Sequence, residues 1–198
     1  MKIMVATGNK HKFEEIQQIL DDLPVKLLTI NDLPQQIEVE ETGLTFQENA
    51  RLKADAYFQL SGLPTLADDS GLEVPALNNE PGVRSARYAG QAADYLKNNL
   101  LLLERMKELK GKDRKAYFRC VVCFKTDQGE WFFEGKTEGV ILEDSRGNGG
   151  FGYDPLFYLP EMGKTYAELS PEEKNKISHR GLALEKFRDF LEKYLEKI

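Results

Sequence analysis

The stretch that most constrains this chain is Thr65-Leu66-Ala67-Asp68-Asp69-Ser70-Gly71. A short apolar run ends in two acids, a hydroxyl and a glycine. Residues 64–67 read as the end of a buried strand. The polar cluster then falls at a strand mouth, where open α/β sheets place their ligands. Successive side chains of an extended segment point to opposite faces. One of Asp68 and Asp69 can therefore face a cleft while the other braces the turn. Two adjacent acids with no lysine beside them suit Mg²⁺, which takes carboxylate oxygen and keeps several waters. A solvated Asp-Asp-Ser-Gly turn accounts for the same residues, so the rest of the chain must decide.

Composition narrows the class. At 198 residues the chain reads as a single domain, 1–198, long enough for two lobes and a full core. A net charge of −6 argues against a general affinity for DNA, RNA or anionic membrane. It leaves open a small phosphorylated ligand held by a few local cations. No apolar stretch approaches the roughly 20 residues of a membrane span. Met1-Lys2-Ile3-Met4-Val5-Ala6 is too short to be a signal peptide. The expected location is the cytoplasm. Cys120 and Cys123 have CxxC spacing, but they lie in an evident strand, 116–124, where positions three apart face opposite ways. Packed, reduced thiols are expected.

Residues 3–6 read as a buried first strand. Thr7-Gly8-Asn9-Lys10-His11-Lys12 leads from it into a helix with Phe13, Ile16, Ile19, Leu20 and Leu23 on one stripe. A polar loop before a helix N-terminus is a ready anion site: free N–H groups, the positive dipole end, and Lys12 in the first turn. It is neither a Walker A loop nor GxGxxG. An ordinary cap by Asn9, with solvated lysines and a surface His11, accounts for it as well. Residues 25–30 are predicted as a second strand, and 37–41 as a short strand ending in acids. Glu40 is there a candidate metal carboxylate or part of an exposed turn. Thr45 and Glu48 form a capping box for a helix reaching residue 60, with Asn49 and Lys53 on one face.

Arg84 and Arg87 could meet a phosphate or stabilise a turn. Residues 92–109 are predicted as a leucine-rich packing helix, 115–125 as a long strand, and 130–135 and 137–142 as the rest of an antiparallel meander. The stretch 146–155 carries Gly147, Gly149, Gly150 and Gly152 among Phe151, Tyr153 and Asp154. Glycines let backbone approach a ligand closely, and an aromatic on such a loop can stack on a base. Ser170 and Glu173 form another capping box, with Pro171 at the first helical position and Lys174 in the helix. His179 and Arg180 precede a last helix whose stripe is Leu184, Phe187, Leu191 and Tyr194.

Seven stretches in this order match one family. They are Thr7-Gly8-Asn9-x-x-Lys12, Glu40-Glu41-Thr42-Gly43, Phe46-x-Glu48-Asn49-Ala50-x-x-Lys53-Ala54, Ala67-Asp68-Asp69-Ser70-Gly71, Ser85-Ala86-Arg87-Tyr88, Gly149-Gly150-Phe151-Gly152-Tyr153-Asp154-Pro155, and Lys174 with Ser178-His179-Arg180. The chain resembles the inosine triphosphate pyrophosphatase family, also called XTP/dITP diphosphatases. Asn148 departs from the pattern, where many members carry Thr.

The resemblance implies an α/β fold, with a long mixed β-sheet and flanking helices forming two lobes around a central cleft, as a homodimer. It implies Mg²⁺ and the reaction NTP + H₂O → NMP + pyrophosphate on ITP, dITP and XTP, which keeps deaminated purines out of DNA and RNA. On this reading Asp69 is the general base and a metal ligand, supported by Asp68, and Glu40 is the other metal carboxylate. Thr7 to Lys12 cradle the triphosphate with Lys53 and Lys174. Ser70 bonds substrate. Phe151, on the loop with Gly152 and Tyr153, stacks on the purine. His179 and Arg180 donate to the 6-oxo oxygen, and Asp154 is a candidate for sensing the 2-position. The competing readings are a non-catalytic nucleotide-binding regulator and a phosphatase acting at the γ-phosphorus.

Overall fold

A computed structural model describes residues 1–35, 37–90 and 94–197. Its elements in chain order are β1 (Lys2–Val5), α1 (Lys10–Ile19), β2 (Lys26–Thr29), α2 (Phe46–Ser61), β3 (Thr65–Val74) and β4 (Glu80–Pro81). There follow α3 (Tyr95–Arg105), β5 (Lys115–Thr126), β6 (Gly129–Ile141), β7 (Phe157–Leu159), β8 (Lys164–Thr165), α4 (Pro171–Ile177) and α5 (His179–Leu195). The strands form one mixed sheet in the order β2-β1-β3-β5-β6-β7-β8, with β4 beside β3. β1 runs parallel to β2 and β3, while β4, β7 and β8 pair antiparallel. This is the mixed sheet with flanking helices that the family resemblance implied.

The chain gathers into two compact units, one of residues 1–69, 120–135 and 180–198, the other of residues 70–119 and 136–179. The first has two cores. Ile3, Leu66, Cys120, Phe124, Leu184 and Phe187 make one, and Met4, Ala50, Ala54, Ala67 and Cys123 the other. The two cysteines thus enter different cores, as alternation along β5 requires. Both are free thiols, raised well above the ordinary range by burial. The second unit packs Leu72, Leu102, Met106, Phe118, Phe157 and Tyr166.

Local signals account for the helix ends. Asn9 caps α1, accepting from the N–H groups of His11 and Lys12. Reciprocal capping boxes start α2 at Thr45 and α4 at Ser170, and Gly62 closes α2 at φ 65°.

Four expectations are corrected. β3 does not end at Ala67 but runs through both acids to Val74. Residues 37–41 form no strand; Ile37 and Val39 pack on the second core, and the Tyr57 hydroxyl donates to the Ile37 carbonyl. The meander is not broken near Gly135, because β6 is one strand of 13 residues. Its glycine with a steric reason is Gly139, where a Cβ would lie 2.6 Å from the Phe157 ring. The predicted start of the leucine-rich helix, Ala92, lies outside the described residues, and α3 ends at Arg105 rather than 109. Among the described residues no helix is long and apolar enough to cross a membrane.

Candidate active site

The two acids of β3 lie side by side in sequence and are both buried, Asp68 3% and Asp69 7% exposed. A carboxylate taken out of water needs cations or donors around it. Alternation sends the two side chains to different partners, and those partners make them chemically unlike.

Asp68 meets three groups. Lys12, in the first turn of α1, reaches its Oδ2 at 2.9 Å, and Nε of Arg180, at the start of α5, donates to the same oxygen at 3.3 Å. Cys120 Sγ, on β5, lies 3.9 Å away. Arg180 is held in turn by Glu15, whose Oε2 accepts from Nη1 at 2.5 Å. Burial pushes the Asp68 carboxyl up, but Lys12, Arg180 and Lys53 outweigh it and hold it far below the usual carboxylate range.

Asp69 meets α2. Asn49 Nδ2 donates to its Oδ2 at 3.2 Å, and Lys53 Nζ lies 3.3 Å from its Oδ1. Lys53 also donates to Glu41 at 2.6 Å. Burial is the largest influence on Asp69, and with Glu41 nearby it keeps this carboxyl above its ordinary value despite Lys53 and Lys12. Burial works against the Lys53 ammonium too, but Asp69, Asp68 and Glu41 together hold its pKa up, so it stays charged. Two neighbouring carboxyls with pKa values pushed apart are the signature of divided acid–base roles.

The acid brought to Lys53 is Glu41, not Glu40. Glu40 is exposed, while Glu41 is half-buried. Among the described residues no group of three or more His, Cys, Asp or Glu is placed to hold a metal.

The Thr7–Lys12 loop keeps part of its polarity for itself. The Thr7 hydroxyl accepts from Asn9 N–H at 3.2 Å, and Asn9 Oδ1 takes His11 N–H at 3.0 Å and Lys12 N–H at 3.3 Å. Gly8 sits against Ile30, where a Cβ would lie 3.3 Å from Cδ1. Lys10 and His11 are exposed beside Glu14.

The second unit carries the glycine-rich loop. Asp154 is buried, and its Oδ2 accepts from Phe151 N–H at 2.8 Å and from Lys174 Nζ at 2.7 Å. A Cβ on Gly150, whose φ is +70°, would lie 2.1 Å from that oxygen. Glycine there is what lets the loop close over its own carboxylate. Tyr153 donates to the Ser85 carbonyl at 2.8 Å, and Asn99 of α3 to the Gly152 carbonyl at 3.1 Å. Phe151 stays half-buried, with Lys174 Nζ 4.8 Å from its ring centroid. His179 is buried and stacks on Phe118, centroids 4.6 Å apart. Ser70 is half-buried in β3.

Several sequence assignments shift accordingly. Lys174 sits with Asp154 and Phe151. Asp154 is a brace for the loop. Arg180 has two of its donors committed to Asp68 and Glu15. His179 and Arg180 open α5 instead of preceding it. Glu15, Glu41 and Asn99 carry parts of these clusters that the sequence reading did not assign. Glu15 was legible, one turn from Lys12 on the same helix face.

Residues 3–190 match the Ham1 family.

The chain belongs to the Ham1 family. A dITP/XTP pyrophosphatase of Clostridium perfringens is 48% identical, covering 98% of this chain and 99% of its own length. One of Thermus thermophilus is 54% identical, covering 98% of this chain and 92% of its own. The structure of the Ham1 protein of Staphylococcus aureus superposes with a TM-score of 0.89 at 40% identity, covering 98% of this chain and all of its own.

Proposed function

We propose that this protein hydrolyses deaminated purine nucleoside triphosphates (dITP, ITP and XTP) at the α-phosphorus, giving the monophosphate and pyrophosphate. The observation that carries the reading is the unequal pair on β3, in a chain whose near-full-length relatives are dITP/XTP pyrophosphatases. Asp68 is committed to Lys12 and Arg180 and cannot take a proton at working pH. Asp69, with its raised pKa, can accept one from water, as a general base must. Lys53, one turn along α2 from Asn49, keeps a positive charge beside that base. Lys12 supplies a second cation, next to the Thr7–Lys12 loop that would cradle the phosphates.

The residues present fit Mg²⁺. Glu41 and Asp69 both reach the Lys53 ammonium and offer hard carboxylate oxygen. Mg²⁺ is usually held by one or two carboxylates together with substrate phosphates, so no third acid is needed. When bound it would supply positive charge to the phosphate oxygens.

The base would stack on Phe151, which Asp154, Lys174 and Gly150 hold in place. Lys174, 4.8 Å from the Phe151 ring centroid, and the buried His179 would read the 6-oxo oxygen. Adenine presents an amino donor there and leaves such donors unpaired, at a cost of about 1–3 kcal/mol, or roughly fivefold to 150-fold in selection. The protein would act as a cytoplasmic homodimer; exposed Leu96 and Leu100 on α3 support an apolar subunit contact.

The test is incubation with dITP, XTP, dATP and dGTP in Mg²⁺, with identification of the phosphate product. Pyrophosphate and dIMP from dITP, with slow dATP turnover, are expected. Orthophosphate as the product would overturn attack at the α-phosphorus.

A further inference from the structure

We propose that Asn49 is a positioning residue that sets Asp69 and the 41–43 segment in one geometry; this rests on the assignment of Asp69 as the base. Asn49 is completely buried in the first turn of α2. Both ends of its amide are used. Oδ1 accepts from Gly43 N–H at 2.8 Å, and Nδ2 donates to Asp69 Oδ2 at 3.2 Å. The reverse orientation would set NH₂ against N–H and oxygen against a carboxylate, so only one orientation satisfies all four groups.

Two consequences follow from the same side chain. On one side, the Asp69 carboxylate has a donor on each oxygen, Asn49 on Oδ2 and Lys53 on Oδ1. The two donors stand one turn apart on a single helix, so the plane of the carboxylate is fixed against a rigid element. On the other side, the segment carrying Glu41 is fastened to α2. Gly43 sits so close that a Cβ would lie 2.6 Å from Asn49 Oδ1, and the Leu44 and Thr45 N–H groups both donate to Glu48. Asn49 thus hydrogen-bonds both Asp69 and the segment that delivers Glu41 to Lys53. Partners of this kind, one step removed from the reacting atoms, typically govern about 10- to 100-fold in activity.

The experiment compares wild type with Asn49→Ala, Asn49→Asp, Gly43→Ala and Asp69→Asn. It measures kcat and KM for dITP, melting temperature, and the Kd of an α,β-imido analogue of ITP, whose bridging nitrogen resists cleavage. Asn49→Asp keeps an oxygen for Gly43 N–H but turns an acceptor towards Asp69. Gly43→Ala leaves Asn49 in place and forces the segment off it. Asn49→Ala and Asn49→Asp are expected to lower kcat about 10- to 100-fold, with KM and the analogue Kd within about threefold. Gly43→Ala is expected to lower kcat in the same way even where the Asn49 variants fold poorly. Wild-type kcat in Asn49→Asp reduces Asn49 to a loop latch and overturns the proposal, as does wild-type kcat in Gly43→Ala. An equal loss in kcat and analogue binding also overturns it, because that is general damage to the site. Full activity in Asp69→Asn would instead remove the base assignment on which the proposal stands, a separate failure read from a separate variant.

Discussion

Arg180 donates through Nε to Asp68 Oδ2 at 3.3 Å, and both side chains are almost wholly buried. A charge pair of this kind is costly to break from one side, because the remaining ion stays out of water. Arg180→Ala leaves both Asp68 and Glu15 short of a cation. It is expected to lower stability by about 3–5 kcal/mol in urea unfolding. A loss under about 1 kcal/mol, with only the dITP-to-dATP preference changed, would instead make Arg180 a base-reading residue.

The two acids of β3 are expected to separate in kinetics. Asp69→Asn removes the proton acceptor and should lower kcat by about 10²–10⁴-fold with nucleotide binding kept. Asp68→Asn should leave measurable turnover, while loosening Lys12 and Arg180. Steady-state rates on dITP for the two variants decide it; a larger loss from Asp68→Asn would reverse the roles.

The same pair predicts opposite pH dependences of stability. The Asp68 pKa is depressed by folding, so its contribution is present above the unfolded value of about 3.9 and is lost as pH falls through the lower folded value. The Asp69 pKa is raised, so its contribution is present below about 3.9 and is lost as pH rises through the higher folded value. Urea midpoints taken from about pH 3 to pH 7 should therefore show a shallower acid-side decline in Asp68→Asn. In Asp69→Asn the midpoint at neutral pH should not fall, although catalysis is lost.

Gly150→Ala tests the loop. It adds about 1–2 kcal/mol of left-handed strain and drives a methyl into the Asp154 carboxylate. Phe151 then loses its brace, and KM for dITP should rise about tenfold or more. Phe151→Ala removes the stacking surface directly, worth about 1–3 kcal/mol per base. An unchanged KM in both variants would place the purine elsewhere.

Much of this arrangement was legible in the residues, and the reason is locality. Capping boxes at Thr45 and Ser170 depend on positions three apart, and the alternation of Asp68 and Asp69 on neighbouring ones. What was not legible depends on distant chain. Arg180 reaches Asp68 across 112 positions, and no local pattern announces it. β3 was expected to stop at its acids because the apolar run ends there, but cations from α1, α2 and α5 offset the cost of burying them. Choosing Glu41 over Glu40 depends on how closely Gly43 lies against Asn49, which is a matter of packing. The Lys174–Asp154 pair joins a loop to a separate helix, so its partner could not be read from charge alone.

Cys120 and Cys123 sit on opposite faces of β5, each completely buried. Three residue steps along the strand separate them by about 10 Å, beyond the reach of a disulfide. The strand therefore carries two independent reporters of breathing. An alkylating agent reaches Cys120 only when the core around Phe124 and Phe187 opens, and Cys123 only when the core under α2 opens. Pulsed labelling read by mass spectrometry would show whether the two sides of this strand come apart together or one at a time.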